Sequence, residues 1–297
     1  MTNDILERFT FENKPLRGEH VYLSESIQTI LKQHPYPKGI ERLLAESLAI
    51  VSLLSAMIKL EGRITLRFQG KNNLKLLLAQ CNHHHEIRGL IKYDHEHPVS
   101  YDELMQLMKD GLLAVMLEFD AHPFEPYHGI VEWRGDNLTS AIESYFETSE
   151  QLLTKIWLHY NSEQQSIVGC MLQALPNHDL EDTHHLAFFQ IAEQMQNTWK
   201  QYSNDLQFAK EFLTRACPHD DIRLFAPIAI QFKCTCSRAH SEQAIKLLGS
   251  KEALDEIEKN GEIVVTCDFC AKTYRFDQVD ITALFKDPLN DSSGTVH

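Results

Sequence analysis

The segments FKCTCSRAH, Phe232–His240, and VTCDFCAKTY, Val265–Tyr274, decide how the C-terminal part of this sequence can fold. The first holds a C-x-C pair, the second holds a C-x-x-C pair, and thirty residues separate the two pairs. Each pair can direct two sulfurs at one ion, and four thiolates complete a closed tetrahedral Zn²⁺ site. Because such a site has no open coordination position, the spacing predicts a structural rather than a hydrolytic zinc. The predicted ligands are Cys234, Cys236, Cys267 and Cys270.

The residues around the two pairs predict a small module that spans residues 230–287. SEQAIKLLG and SKEALDEIEKNG indicate two short helices that end at Gly249 and Gly261. EIVVTC and KTYRF indicate the strands of a hairpin with the C-x-x-C pair at its turn. A bound zinc would supply roughly 10 kcal/mol or more of folding free energy to a module of this size. The polar residues 288–297 are predicted to form a disordered tail.

The spacing of the cysteines also permits redox chemistry. The Cα atoms of residues i and i+2 lie roughly 5.5–7 Å apart. A disulfide needs about 4.4–6.8 Å, so a Cys234–Cys236 bond requires a bent chain and a Cys267–Cys270 bond forms more easily. Zinc-bound thiolates remain nucleophilic, so peroxide or hypochlorous acid can attack them. Oxidation within both pairs would remove all four predicted zinc ligands at once.

Residues 1–178 predict one α+β domain. Alternating segments such as GRITLRFQG indicate strands, and the following LKLLLAQCN indicates a neighbouring strand. YPKGIERLLAESLAIVSLLSAMIKLEG indicates a long helix that starts near Pro37 and ends at Gly62. Apolar and small residues cover all faces of this helix, so we expect it to lie buried against a sheet.

Residues 179–229 predict a helical linker with Gln, Asn and His on its faces. Helices of this length are marginal in water, so they would be stable only when docked on neighbouring structure. A start signal at Ser203 precedes the second helix. The predicted apolar stripes are Leu186, Phe189, Ala192, Met195 and Trp199 in the first helix, and Leu206, Ala209 and Leu213 in the second.

Composition and charge exclude several classes of protein. The 297 residues carry a net charge of −14, which repels phosphate backbones and argues against a nucleic-acid partner. The N-terminal MTNDILERFTFENK has no basic segment followed by an apolar stretch, so we expect no signal peptide. The uncharged apolar run Ser47–Ile58 is too short to span a bilayer. We therefore expect no membrane association and a cytoplasmic location, where close cysteine pairs remain reduced.

FKCTCSR and GEIVVTCDFCAKTYRF resemble the 33-kDa heat-shock protein family, a group of bacterial holdase chaperones. FTFENKPLRGEHV, YPKGIERLLAESL and GDNLTSAIESYFETSEQL extend the resemblance over essentially the whole chain. It implies an α+β substrate-binding domain, a metastable helical linker and a redox-sensing zinc domain. It also implies that four reduced cysteines hold one zinc in an inactive form. Oxidation would then release the zinc and form the disulfides Cys234–Cys236 and Cys267–Cys270.

The resemblance further implies a redox-regulated chaperone rather than an enzyme. Such a protein binds unfolding client proteins without ATP under oxidative stress, and it forms a homodimer on activation. Unfolding of the linker would uncover an apolar patch large enough to bind clients. The expected client-binding residues are Leu186, Phe188, Phe189, Met195 and Trp199.

Two other functions are compatible with four clustered cysteines. One is an adaptor with a permanent zinc module, and the other is a dithiol oxidoreductase that uses Cys267 and Cys270. The predicted strands on both sides of C-x-x-C differ from the strand-to-helix context of thioredoxin-like catalysts. The sequence contains no G-x-S-x-G, P-loop or G-x-G-x-x-G motif, so no motif supports a hydrolase or nucleotide-binding function.

Two further features lie outside the cysteine pairs. CNHHHE, Cys81–Glu86, is interpreted as a turn with surface histidines, because adjacent side chains on a strand point to opposite faces. Cys217, in the predicted linker, is interpreted as an inert buried thiol, with participation in mixed disulfides as the alternative. The sequence leaves the roles of Cys217 and of His83–His85 open.

Overall fold

A computed structural model describes residues 4–56, 61–94, 100–119, 126–175, 181–202 and 208–285. The chain divides into two compact units, Met1–Lys233 and Cys234–His297. The predicted tail, residues 288–297, lies outside the described residues, and so do Ser203 and Leu206 of the predicted linker. The domain boundaries at residues 178 and 229 stay a prediction.

The mixture of sheets and helices confirms the α+β class that the sequence predicts. The strands are β1 Ile5–Phe11, β2 Leu16–Leu23, β3 Gly62–Gln69, β4 Leu74–Asn82, β5 Glu86–Tyr93, β6 Leu112–Phe119, β7 Tyr127–Val131, β8 Thr154–Asn161, β9 Ser166–Ala174, β10 Ile222–Leu224, β11 Ile228–Ala229, β12 Gln231–Phe232, β13 Ile263–Thr266 and β14 Thr273–Phe276. The helices are α1 Glu25–Gln33, α2 Lys38–Ser55, α3 Tyr101–Lys109, α4 Leu138–Ser149, α5 Glu181–Tyr202, α6 Ala209–Ala216, α7 Arg238–Leu248, α8 Ser250–Asn260 and α9 Gln278–Leu284. Within the described residues, none of these helices is long and apolar enough to cross a membrane.

Two sheets form the frame of the first unit. The first sheet has the strand order β10-β1-β2-β9-β8, and β11 also pairs with β1. The second sheet has the order β12-β5-β4-β3-β6-β7, in which β12 joins β5 in parallel. The segment after α6 therefore returns to both sheets through three short strands. These strands were not predicted, because two or three residues are too few to show a period.

Helix α2 lies between the two sheets. It contacts β2 and β9 of the first sheet and β3, β4 and β5 of the second. Its buried serines are satisfied within the helix, since the hydroxyls of Ser47 and Ser52 donate to the carbonyl oxygens of Leu43 and Leu48, both at 2.7 Å. The prediction that this helix is buried is confirmed.

The predicted end of this helix at Gly62 is wrong. Helix α2 ends at Ser55, and Gly62 is the first residue of β3. A Cβ atom at Gly62 would lie 2.3 Å from the carbonyl oxygen of Glu118 on β6. The glycine therefore permits the close approach of two strand backbones and does not terminate a helix.

Helices α5 and α6 pack on the face of the first sheet that is opposite α2. The indole Nε1 of Trp157 on β8 donates a hydrogen bond to Gln196 Oε1 on α5, at 2.8 Å. The backbone N–H of Ala209, at the start of α6, donates to Glu7 Oε2 on β1, at 2.7 Å. The buried side chains of this region are named here the helix–sheet cluster: Phe9, Phe11, Leu16, Trp157, Val168, Cys170, Leu172, Phe188, Ile191, Ala192, Met195, Trp199, Ala209, Phe212, Leu213, Ala216 and Cys217.

The predicted apolar stripe on α5 is wrong at Leu186 and Phe189. Phe188, Met195 and Trp199 are 1%, 0% and 6% exposed. Leu186 and Phe189 are 58% and 53% exposed, so they lie on the outer side of the helix. The inward side chains follow steps of three and four residues from Phe188, and this spacing excludes its neighbour Phe189. Undocking of α5 would therefore uncover Phe188, Met195 and Trp199, whereas Leu186 and Phe189 are exposed already.

Glu19 predicts a pH dependence of the stability of the first unit. It lies within β2 with 3% of its surface exposed, and its Oε2 has no hydrogen-bond partner among the described residues. Burial raises the pKa of Glu19 from 4.5 to about 7, although the charges of Arg17 and Arg8 lower it. Because the folded state binds this proton more tightly than the unfolded state, folding stability falls as the pH rises through this interval. The expected loss is about 3 kcal/mol.

We expect Glu19→Gln to be more stable than the unsubstituted protein at about pH 8, and to lose this advantage at about pH 4. The difference in the free energy of unfolding is measured at each pH by urea unfolding, which is monitored by hydrogen exchange in β1, β2 and β9. Glu163→Gln, in an exposed turn, is the matched control and should change neither value. An advantage of Glu19→Gln that is equal at both pH values would contradict the assignment.

Candidate metal centre

The C-x-C pair lies on a short segment without regular secondary structure, directly before α7. Ser237 is the N-cap of this helix, and its Oγ accepts a hydrogen bond from the backbone N–H of His240 at 3.2 Å. The cap fixes the direction of the chain immediately after Cys236. The helix start therefore positions the first pair of sulfurs.

The C-x-x-C pair occupies the turn between β13 and β14, which confirms the predicted hairpin. The backbone N–H of Cys267 donates to the carbonyl oxygen of Lys272, and that of Ala271 donates to the carbonyl oxygen of Cys267, both at 2.9 Å. Ala271 has a φ of 54°, a left-handed conformation that costs a non-glycine residue roughly 1 kcal/mol. The hydrogen bonds hold a tight turn with both cysteines in it.

The four sulfurs form one cluster. The Sγ atoms of Cys234 and Cys267 are 3.6 Å apart, and those of Cys236 and Cys270 are 3.4 Å apart. All four lie within 4.8 Å of one another. A tetrahedral zinc site with Zn–S bonds of about 2.3 Å has sulfur–sulfur distances of about 3.8 Å. The cluster therefore has the donor atoms and the size that a Zn²⁺ ion requires.

Hydrogen bonding distinguishes Cys236 from two of its neighbours. Burial alone would raise the pKa of Cys236, but hydrogen bonds from Tyr274 and from the other thiols lower it to about 7. Burial is the main cause that raises the pKa of Cys234, and it raises that of Cys270 to about 12. The hydroxyl of Tyr274 lies 3.2 Å from Cys236 Sγ. Cys236 therefore ionises more readily than Cys234 or Cys270, and metal binding would release their protons.

A small apolar core supports the cluster. Its buried members are Ile245, Ala253, Ile257, Ile263, Phe276 and Ile281. The guanidinium of Arg238 stacks on the ring of Phe276 at 4.2 Å, and it forms an ion pair with Asp280 at 2.7 Å. It also donates to the carbonyl oxygen of Arg275 at 2.9 Å, so one side chain connects α7, β14 and α9. A core of six side chains is small for independent stability, as expected for a metal-dependent module.

The other candidate ligands lie elsewhere. Cys81, Cys170 and Cys217 are buried in the first unit, and burial raises the pKa of both Cys81 and Cys217 to about 12. Thiols of this kind are poor nucleophiles, as predicted for Cys217. His83–His85 lie at the turn between β4 and β5. In the part of the chain that the structure describes, the four-cysteine cluster is the only group arranged to hold a metal ion.

The structure thus brings together the four cysteines that the spacing indicates, and their role as zinc ligands stays a prediction. The five expected client-binding residues lie on α5, in the other unit. Sequence analysis missed Tyr274. Its position on the predicted strand could have indicated it: Tyr274 is two residues from Phe276, so both side chains face the same side of the hairpin.

Comparison with known proteins identifies the relatives of this chain. The sequence model of the Hsp33 protein family matches residues 4–277. The chain belongs to the Hsp33 family. An Hsp33 relative, the 33 kDa chaperonin of Shewanella loihica, is 39% identical over 289 residues, which is 97% of each chain. The 33 kDa chaperonin of Aeromonas salmonicida is 35% identical over 293 residues, with 98% of each chain covered.

The Hsp33 fold is also present in a solved structure. The crystal structure of a 33 kDa chaperonin from Thermotoga maritima matches with a TM-score of 0.77 and covers 95% of this chain and 98% of that chain. At 18% identity, this likeness establishes the fold alone. Membership of the Hsp33 family confirms the resemblance found in the sequence, and it identifies the chain as a molecular chaperone.

Proposed function

We propose that this chain is a redox-regulated, ATP-independent holdase, which binds unfolding proteins and prevents their aggregation under oxidative stress. The observation that carries the proposal is the cluster of four sulfurs within 4.8 Å of one another. In the reduced and inactive form, the ligands of one Zn²⁺ are Cys234, Cys236, Cys267 and Cys270. The bound ion supplies folding free energy, because a site with four protein ligands leaves no position for an activated water.

Oxidation closes one disulfide within each pair, Cys234–Cys236 and Cys267–Cys270. For each disulfide, two thiolates lose two electrons and form an S–S bond. The O–O bond of peroxide breaks and, with two protons, yields two water molecules. The two short sulfur–sulfur distances, 3.4 and 3.6 Å, each connect a cysteine of C-x-C with a cysteine of C-x-x-C. This arrangement suits the binding of one metal ion by both pairs. The family resemblance supports the within-pair disulfides, and so does the low entropic cost of closing such short loops.

Loss of the module then releases the linker. We assign residues 179–229 to this linker, between the substrate-binding domain of residues 1–178 and the zinc domain of residues 230–287. Undocking of α5 and α6 exposes Phe188, Met195 and Trp199, together with the sheet side of the helix–sheet cluster. An apolar surface of this kind binds unfolded clients. Leu186 and Phe189, which are exposed already, lie at its margin.

Three further properties belong to the proposal. The active form is a homodimer, the protein resides in the cytoplasm, and it is not an enzyme. The reducing cytoplasm supports the location, since it keeps the four thiols available for the metal until an oxidant appears. The strand–turn–strand context of Cys267 and Cys270 supports a structural rather than a catalytic dithiol.

Aggregation of a heat-denatured client, followed by light scattering, tests the proposal. We expect the peroxide-treated protein to suppress scattering and the reduced protein to leave it unchanged. The released zinc and the remaining free thiols are measured in the same titration. We expect each chain to lose one zinc ion and four free thiols. Cys81→Ala, which removes a buried thiol that belongs neither to the four-cysteine cluster nor to the helix–sheet cluster, should behave like the unsubstituted protein.

The same titration, together with an insulin-reduction assay, separates the alternatives. Equal protection of the client by the reduced and oxidised proteins would overturn the redox regulation. Zinc that stays bound under peroxide would favour the permanent adaptor. Repeated turnovers in an insulin-reduction assay would favour the dithiol oxidoreductase.

A further inference from the structure

Tyr274 contacts the cysteine cluster through its hydroxyl group. It lies on β14, opposite Val265 of β13, and its ring packs against the core of the module. Its hydroxyl is 3.2 Å from Cys236 Sγ. A metal-bound thiolate accepts hydrogen bonds and has no proton to donate, so the tyrosine is the donor in this contact. The hydrogen bond joins the hairpin that carries C-x-x-C to the segment that carries C-x-C.

We propose that Tyr274 is a positioning residue of the cysteine switch: its O–H orients the sulfur of Cys236 and lowers the nucleophilicity of that sulfur. The proposal rests on the proposed function, in which Cys236 is a zinc ligand. A hydrogen bond donated to an anionic sulfur withdraws charge from the lone pairs that attack an electrophile. Groups that hydrogen-bond to metal ligands also fix the ligand geometry, and their removal weakens metal binding.

The position of Tyr274 makes its effect specific to one sulfur. The hydroxyl is within hydrogen-bond distance of Cys236 Sγ, whereas the backbone of the turn holds the other pair: the main chain of Cys267 bonds to Lys272 and Ala271, and the backbone N–H of Lys272 bonds to Cys270. The ring of Tyr274 contributes to the module core, so Tyr274→Phe keeps the packing and removes only the hydroxyl. This separation of ring from hydroxyl allows the two roles to be tested independently.

Alkylation of the reduced, zinc-loaded full chain by iodoacetamide measures the effect. In this reaction a cysteine sulfur attacks the methylene carbon, an S–C bond forms, and iodide leaves with the electrons of the C–I bond. Peptide mass spectrometry with fragmentation gives the rate at each cysteine. We expect Tyr274→Phe to accelerate the reaction of Cys236 about tenfold relative to Cys267 and Cys270. Zinc transfer to a coloured chelator should also become about tenfold faster.

Lys272→Met is the matched control. The ammonium of Lys272 lies 5.2 Å from the centre of the Tyr274 ring, so this variant removes a neighbouring charge and retains the hydroxyl. We expect it to change the ratio less than about threefold. Equal acceleration of all four cysteines in Tyr274→Phe would reveal a purely structural role and overturn the proposal. An unchanged ratio would overturn it as well.

The alkylation experiment contains no oxidant, so it is independent of the peroxide response. A protein that fails the light-scattering test can still show the selective change at Cys236, and the reverse result is equally measurable. Failure of the proposed function and failure of the Tyr274 proposal are therefore distinguishable.

Discussion

Removal of the metal from the reduced protein should unfold the cysteine module and leave the unit Met1–Lys233 folded. The module has six buried apolar side chains, whereas the first unit is built around two sheets and two large clusters. A structural zinc contributes roughly 10 kcal/mol or more to small domains, which is comparable to the whole stability of many proteins. Without it, four partly buried thiols would remain beside a core too small to fold alone.

Hydrogen exchange measured with and without a strong chelator, in the presence of reductant, tests this expectation. Protection should vanish in α7, α8 and β13–β14 and persist in α2 and β9. Cys267→Ser should give the same pattern without chelator and should bind no zinc. Cys217→Ala is the control for zinc binding. It removes a buried thiol that is outside the four-cysteine cluster, so it should retain one zinc per chain. Undiminished protection of α7 and α8 in the chelated protein would exclude a structural role for the metal.

The cysteine module was predictable because its information is local. The hairpin, its turn and the two short helices each follow from a few neighbouring residues, such as the glycines Gly249 and Gly261. The four sulfurs meet because two local turns present them, and the spacing indicates both turns. The Tyr274 hydroxyl is different, since a single tyrosine belongs to no paired motif that would mark it. Its contact with Cys236 depends on how the hairpin meets the C-x-C segment.

The errors in the first unit have a common physical cause. In the sequence, Gly62 resembles the glycine that ends a helix. In the structure, its lack of a Cβ atom allows the backbone of β6 to lie close to β3. Strands β10, β11 and β12 exist through hydrogen bonds to distant strands, and they are too short to show a period. In each case a tertiary contact determines the role of residues that local patterns leave ambiguous.

The adjacent residues Phe188 and Phe189 show the same limit. Both are apolar, and either can start a stripe with three- and four-residue steps. The choice depends on which side of α5 meets the first sheet, and the structure places Phe188 against it and Phe189 outside. Two identical side chains at neighbouring positions thus form a matched pair for mutation.

Phe188→Ala should undock α5 and α6 in the reduced protein. Phe188 is 1% exposed in the helix–sheet cluster, and truncation of a buried phenylalanine costs about 3–5 kcal/mol. Such a loss exceeds what a marginally docked helix pair can absorb, so α5 and α6 should lose protection while β9 keeps it. Phe189→Ala removes the same atoms from a side chain that is 53% exposed, and it should cost less than about 1 kcal/mol.

Hydrogen exchange of α5 and α6 and light scattering of a client, both under reducing conditions, measure the two consequences together. If exposure of the helix–sheet cluster is sufficient for client binding, Phe188→Ala suppresses aggregation while all four thiols stay reduced and zinc stays bound. Phe189→Ala stays inactive until peroxide is added. Loss of protection in Phe188→Ala without client binding would place the client site elsewhere. Equal activity of the two variants would show that burial on α5 is irrelevant to activation, because these phenylalanines differ mainly in the face that they occupy.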